Sequence, residues 1–170
     1  MNADPSQSAA PALVIGVGNT IRGDDAVGLL LLRDLAGGLP AGTDHLECES
    51  AGFEILDHMA GRETVIIIDA LRTDDEQEVG EVVCRPLGEA PASVTLMPSH
   101  GFDIATLLQA YRQAMPDRFP RTVHLILVKV IEVDDFREGL SPQLTQRYPQ
   151  VRDRVATHLH HLLASRAASS

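Results

Sequence analysis

The chain has 170 residues, of which 44% are hydrophobic and 22% charged, and a formal net charge of −10. That length supports one domain with a real core, and an acidic balance with no compensating basic stripe argues against nucleic acid or an anionic membrane as partner. No apolar run approaches the roughly 18 residues that a membrane span needs, and residues 1–8 carry neither the cationic nor the apolar segment of an export signal, so a cytoplasmic location is expected. Cys48 and Cys84 are lone cysteines in strand-like stretches with no metal-binding spacing, which predicts buried thiols in a reducing compartment.

Strand and helix signals alternate from end to end. Residues 12–17 are a continuous apolar run, short enough for a buried strand. Val27, Leu30, Leu31 and Leu35 fall at helical spacing, and Gly37-Gly38 followed by Pro40 stops that helix. Residues 43–49 alternate weakly as a second strand, and 53–59 hold one or two helical turns. The β-branched run at 64–68 predicts a central strand that ends at Asp69. Another strand is predicted over 79–85, after the acidic loop at 74–76. It follows Asp69 too closely for a helical crossover, so it should pair antiparallel or lie at an edge.

Ile104, Leu107, Leu108 and Tyr111 define a helix face closed by Pro116 and Pro120. Residues 122–133 predict a long strand, and 142–164 a final helix with Val151, Val155, Leu159 and Leu162 on one side. Strands separated by helices predict a three-layer α/β/α domain with a mostly parallel sheet flanked by helices. Its expected span is 12–164, between a disordered tail at 1–11 and a frayed one at 165–170.

The chemistry-bearing residues begin with the turn after the first strand, Gly16-Val17-Gly18-Asn19-Thr20-Ile21-Arg22-Gly23-Asp24-Asp25. A dinucleotide fingerprint needs a third glycine where Ile21 stands, and no Gly-Lys-Ser/Thr follows, so a nucleotide site is disfavoured. Asp24 and Asp25 fall where a helix starts. One of them is expected to cap it, leaving the other to point into a cleft. Asp69 closes a central strand, where a buried carboxylate is costly unless a cation, a donor network or protonation offsets the cost. It could also accept the amide hydrogens of residues 70–72.

His100 follows the Pro98-Ser99 break and precedes an amphipathic helix. Two carboxylates and an imidazole drawn from three separate segments form a plausible open site for a divalent transition metal. His158, His160 and His161 on the last helix are expected to face solvent, and Glu132, Asp134, Asp135 and Glu138 to form a solvated loop.

Taken together these segments resemble the hydrogenase maturation endopeptidases. The resemblance rests on Gly16-Val17-Gly18-Asn19 with Gly23-Asp24-Asp25-Ala26-Val27-Gly28, on the strand ending in Asp69-Ala70, on Ser99-His100, and on Glu138-Gly139-Leu140-Ser141-Pro142 before the last helix. It runs in order from about residue 12 to 163. It implies a twisted sheet of about five strands between helical layers. It also implies removal of a C-terminal extension from the precursor of a nickel-iron hydrogenase large subunit, after nickel insertion.

The family's metal contacts, two acids and a histidine, map onto Asp25, Asp69 and His100, with nickel supplied by the substrate precursor. In the family the second acid of the opening motif is often glutamate, so Asp25 reaches about one methylene less far. Either a carboxylate or the metal would activate water, and a monomer is expected. The alternative that keeps the fold is a non-catalytic nickel- or precursor-binding chaperone module.

Overall fold

Three apolar, β-branched runs form the middle of the sheet in the computed structural model, which describes residues 10–49, 54–89, 104–131 and 136–167. β1 (Ala12–Val17) is buried along its whole length. β3 (Thr64–Arg72) is buried through its first seven residues, and β5 (Thr122–Val130) is buried over most of its length. Strands enclosed on both faces need no polar alternation, which is why these runs read as continuously apolar. β2 (Thr43–Cys48), at one edge, alternates in exposure, and β4 (Val82–Pro86) forms the other edge.

The strand order is β2-β1-β3-β5-β4. β1 runs parallel to β2 and β3, and β3 parallel to β5, while β4 lies antiparallel on β5 as the short connection requires. α1 (Val27–Leu35) and α4 (Pro142–Ala167) cover one face, where Leu31, Leu32, Val151, Val155 and Leu159 pack on Val14, Ile66, Ile68 and Val128. α2 (Glu54–Met59) and α3 (Ile104–Ala114) cover the other, where Ile55, Met59, Ile104 and Leu108 pack on Leu13, Ile15, Ile67 and Leu125. The three-layer α/β/α arrangement predicted from the alternation of elements is the one observed.

Several boundaries differ from the sequence reading. β3 does not end at Asp69 but runs on to Arg72, because β5 continues to pair with it there. β4 starts at Val82 rather than 79: Gly80 adopts φ 83°, and its N–H donates to Lys129 O (2.8 Å) before the regular ladder begins. β5 stops at Val130, and α4 extends to Ala167 with Leu163, rather than Leu162, in the buried core. Cys48 and Cys84 are only partly buried, and burial raises the pKa of Cys84.

The order of connections fixes where a site can form. The chain leaves β1 outward to β2, then returns past β1 to β3. Right-handed crossovers therefore put α1 and α2 on opposite faces. Between β1 and β3 the winding reverses, and the crevice at the C-terminal ends of those two strands is where such sheets bind ligands.

Candidate active site

β1 leads through Gly18-Asn19 into a 3-10 turn (Gly23–Ala26) that runs directly into α1. The loop is closed by its own bonds. Arg22 N–H donates to Asn19 O (3.1 Å), Asp25 N–H to Arg22 O (3.2 Å), and Ile21 N–H to Asn19 Oδ1 (3.1 Å). The last of these makes an Asx turn.

Two glycines then let the turn lie on the strand ends. A Cβ at Gly18 would stand 2.1 Å from Asp25 O, and one at Gly28 would stand 2.2 Å from Val17 O and 2.4 Å from Ile68 O. No side chain fits such gaps, so the glycines bring Asp24 and Asp25 onto the ends of β1 and β3. Asp24 is 2% exposed and Asp25 3%.

Neither aspartate occupies a helix N-cap, contrary to the expectation from their position. The N-cap of α1 is Ala26, which makes no side-chain bond. Asp24 Oδ1 instead accepts from the Ser141 N–H at 2.5 Å, across 117 residues of chain. The 3-10 turn consumes the residues that would have formed a standard first helical turn, which moves the cap position past both acids.

Asp69 marks the point where the sheet opens. β1 pairs with β3 only as far as Gly16 opposite Ile68, whereas β3 and β5 stay paired through Asp69 opposite Leu127 to Arg72 opposite Val130. Asp69 is thus the first β3 residue beyond the pairing with β1. By strand alternation it belongs to the α3-side face with Val65 and Ile67. It is 4% exposed, and the Ala70 N–H donates to its Oδ1 (2.8 Å), which fixes the carboxylate locally. Asp25, on the turn that follows β1, and Asp69, on β3, are thus two buried carboxylates on the segments that border this switch point.

A second chain segment is tied to this loop. Arg22 and Arg137 form a parallel bridge in which Gly23 N–H donates to Arg137 O (2.7 Å) and Arg137 N–H to Ile21 O (3.0 Å). Four residues on, Ser141 donates its N–H to Asp24 and caps α4 through its hydroxyl, which accepts from Leu144 N–H (3.2 Å), with Pro142 as first helical residue. The Ser-Pro cap is legible in the sequence. Its coupling to Asp24 is not, since nothing local marks a contact between residues so far apart.

The third predicted site residue, His100, lies outside the described residues, as do Glu132, Asp134 and Asp135. Among the described residues no group of three His, Cys, Asp or Glu side chains could hold a metal ion. His160 and His161 are exposed and His158 is partly buried, in keeping with a mainly solvent-facing cluster, and Glu138 is exposed. No helix among the described residues is long and apolar enough to cross a membrane.

A cavity of about 350 Å³ lined by Thr64, Arg121, Thr122, His124 and Arg166 opens elsewhere. It lies at the opposite ends of β3 and β5, about 16 Å along β3 from Asp69 at the strand rise. The switch point, not this cavity, carries the buried acids.

Fold and site together define an α/β domain with a winding reversal between β1 and β3 and a carboxylate from each side of it. The description "hydrogenase maturation protease" (HycI) belongs to the family that matches residues 44–158. The chain is also 32% identical over 156 residues to the hydrogenase 2 maturation protease of Escherichia coli K12, an alignment covering 90% of this chain and 88% of that one. The chain belongs to the hydrogenase maturation protease family.

Among solved structures, the hydrogenase maturating endopeptidase HybD from E. coli superposes with a TM-score of 0.70 at 28% identity, covering 88% of this chain and 92% of that one. The [NiFe] hydrogenase maturation protease HybD from Thermococcus kodakarensis gives a TM-score of 0.66 at 23% identity, covering 87% and 98%, and shares the fold.

Proposed function

We propose that this chain is an endopeptidase that removes the C-terminal extension of a nickel-iron hydrogenase large-subunit precursor once nickel has been inserted. The observation that carries the proposal is the burial of two carboxylates, Asp25 and Asp69, on the two segments that border the switch point between β1 and β3. Membership of the maturation protease family supports it.

Nickel belongs to the substrate in this scheme. Carboxylate oxygens from Asp25 and Asp69 and an imidazole from His100 complete the coordination of a nickel partly held by substrate thiolates, a mix of hard and borderline donors suited to that ion. The nickel so held positions the scissile bond and polarises its carbonyl. The protein's share is orientation. Asp69 is held by the Ala70 N–H, and Asp25 rides on a turn packed too tightly to move away from the strand ends.

The test mixes purified protein with nickel-loaded and nickel-free precursor of the cognate large subunit and follows intact mass. Loss of a C-terminal peptide from the nickel-loaded form alone is the expected result, and His100→Ala or Asp69→Asn should abolish it. A nickel-loaded precursor that binds but keeps its full mass would replace this proposal with a non-catalytic binding module.

A further inference from the structure

The cavity of about 350 Å³ at the far end of the sheet from the buried acids has polar side chains on a face of the central strands that is otherwise apolar. Thr64, Thr122 and His124 share the α4 side of the sheet with Ile66, Ile126 and Val128, as strand alternation requires. Nearer the middle of the sheet, isoleucine and valine fill the space beneath α4. At this end threonines hold the corresponding positions, and their smaller side chains leave room beneath Leu162 and Arg166 near the end of the helix. Thr64, 6% exposed, and Thr122 are register partners whose hydroxyls bond each other at 3.0 Å, and Thr122 Oγ1 also donates to Glu63 O (3.3 Å).

Positive charge collects around this cavity. Arg121 and Arg166 both line it, in a chain where acidic residues outnumber lysine and arginine by 24 to 14. Glu63 is the one carboxylate among the described lining residues, and its Oε2 stands 3.5 Å from Arg166 Nη1, against 2.6 Å in the Arg33–Glu47 pair. Arg121 takes part in no ion pair with a described residue. Two guanidinium groups and one carboxylate leave the cavity with a net positive charge. Arg121, Thr122 and His124 also border a neighbouring cavity of about 190 Å³, whose described lining adds Arg112 and no carboxylate. Burial lowers the pKa of His124, so at neutral pH its ring offers one N–H donor and one acceptor nitrogen.

We infer that this cavity is a second binding site, which takes a small organic anion and holds its carboxylate or phosphate group between Arg121 and Arg166, with His124 and the two threonines against its neutral polar part. Guanidinium groups suit that role because their N–H donors match the paired oxygens of either anion. The volume lies near the lower end of the roughly 300–1,000 Å³ of ligand sites, which admits a small metabolite rather than a peptide. The site lies about 16 Å along β3 from Asp69 at the strand rise, so its ligand binds without touching the acids, and the inference stands apart from the proposed reaction.

The experiment titrates the full chain, labelled with nitrogen-15, with glycerol 1-phosphate, glycerate or glycerol in 0.15 M sodium chloride and follows the amide resonances. At least one of the two anions is expected to shift the Thr122 and His124 amides and to saturate with a Kd on the order of 1 mM. The tighter of the two identifies the anionic group, and neutral glycerol should give no saturable shift. Arg121→Gln and Arg166→Gln should each weaken binding about tenfold. Arg154→Gln, which removes an exposed arginine of α4 outside the cavity, should leave it unchanged, as should Asp69→Asn. Arg121 is exposed, so its replacement should melt with wild type and carries the test if Arg166→Gln melts early. The absence of a saturable shift with either anion overturns the site. Equal weakening by Arg154→Gln, or equal binding of glycerol, overturns it too, since the first would reduce the effect to overall charge and the second to the sugar-alcohol skeleton.

Discussion

Asp24 Oδ1 accepts a 2.5 Å hydrogen bond from the backbone N–H of Ser141, joining the turn that follows β1 to the start of α4. Both partners are shielded, since Asp24 is 2% exposed and Ser141 is partly buried. Asp24→Ala removes the acceptor and strands a donor, which should cost about 2 kcal/mol or more in urea unfolding. Asp24→Asn keeps an acceptor oxygen in place and should cost less. Equal losses in the two variants would mean that the bond to Ser141 does not account for Asp24.

Asp25 and Asp69 should behave differently. Each is buried at a place where the sheet opens, and asparagine keeps the volume and one acceptor oxygen of either side chain. Asp25→Asn and Asp69→Asn are expected to reduce processing of nickel-loaded precursor by about a hundredfold or more, while melting within a few degrees of wild type. Asp69→Asn retains the oxygen that accepts from Ala70 N–H. A variant with full processing activity would remove that residue from the site.

The contrast between these neighbours also shows what a sequence discloses. β1 and the core of β3 are legible because strands buried on both faces are continuously apolar, and β4 because its connection is too short for a helix. Asp69 falls in the expected strand, yet its position three residues short of the strand's end depends on β5, which pairs with it from more than fifty residues away. Asp24 departs from the expected helix cap for a similar reason. Local pattern favours capping, but its bond is to Ser141, and a side chain's long-range partner leaves no local trace. Asp25, Asp69 and His100 can be proposed only jointly, through the order of motifs along the whole chain.

Gly28 should tolerate no side chain. A Cβ there would meet two backbone carbonyls, Val17 O at 2.2 Å and Ile68 O at 2.4 Å, and backbone cannot swing aside as a flexible side chain can. Gly28→Ala must push α1 off the sheet and carry Asp25 with it, which should cost at least about 3 kcal/mol and reduce processing even in the folded fraction. Gly37→Ala provides the counterpart. Nothing lies within 4 Å of where a methyl on Gly37 would stand, and its φ is not positive, so alanine should be neutral or stabilising by up to about 1 kcal/mol. Chemical denaturation of the two variants side by side measures the difference.

Tyr148 on α4 donates its hydroxyl to Asp34 Oδ2 on α1 (2.9 Å), bridging the two helices that cover one face of the sheet. Burial pushes the phenol's pKa well above its ordinary value near 10, and the adjacent Asp34 carboxylate raises it further, since a phenolate there would be both desolvated and repelled. Because the folded-state pKa lies above the unfolded one, the protonated phenol stabilises the fold fully below about pH 10, and that contribution is lost as pH rises beyond it. The chain has two tyrosines and no tryptophan. Tyr111→Phe therefore leaves Tyr148 as the sole reporter in an ultraviolet titration. Its ionisation should be delayed well past pH 10 and coincide with alkaline unfolding, and Asp34→Asn should bring it earlier. Tyr148→Phe should flatten the alkaline fall in stability. An ordinary phenol titration with the fold still intact would show that the bond to Asp34 does not hold the proton in solution.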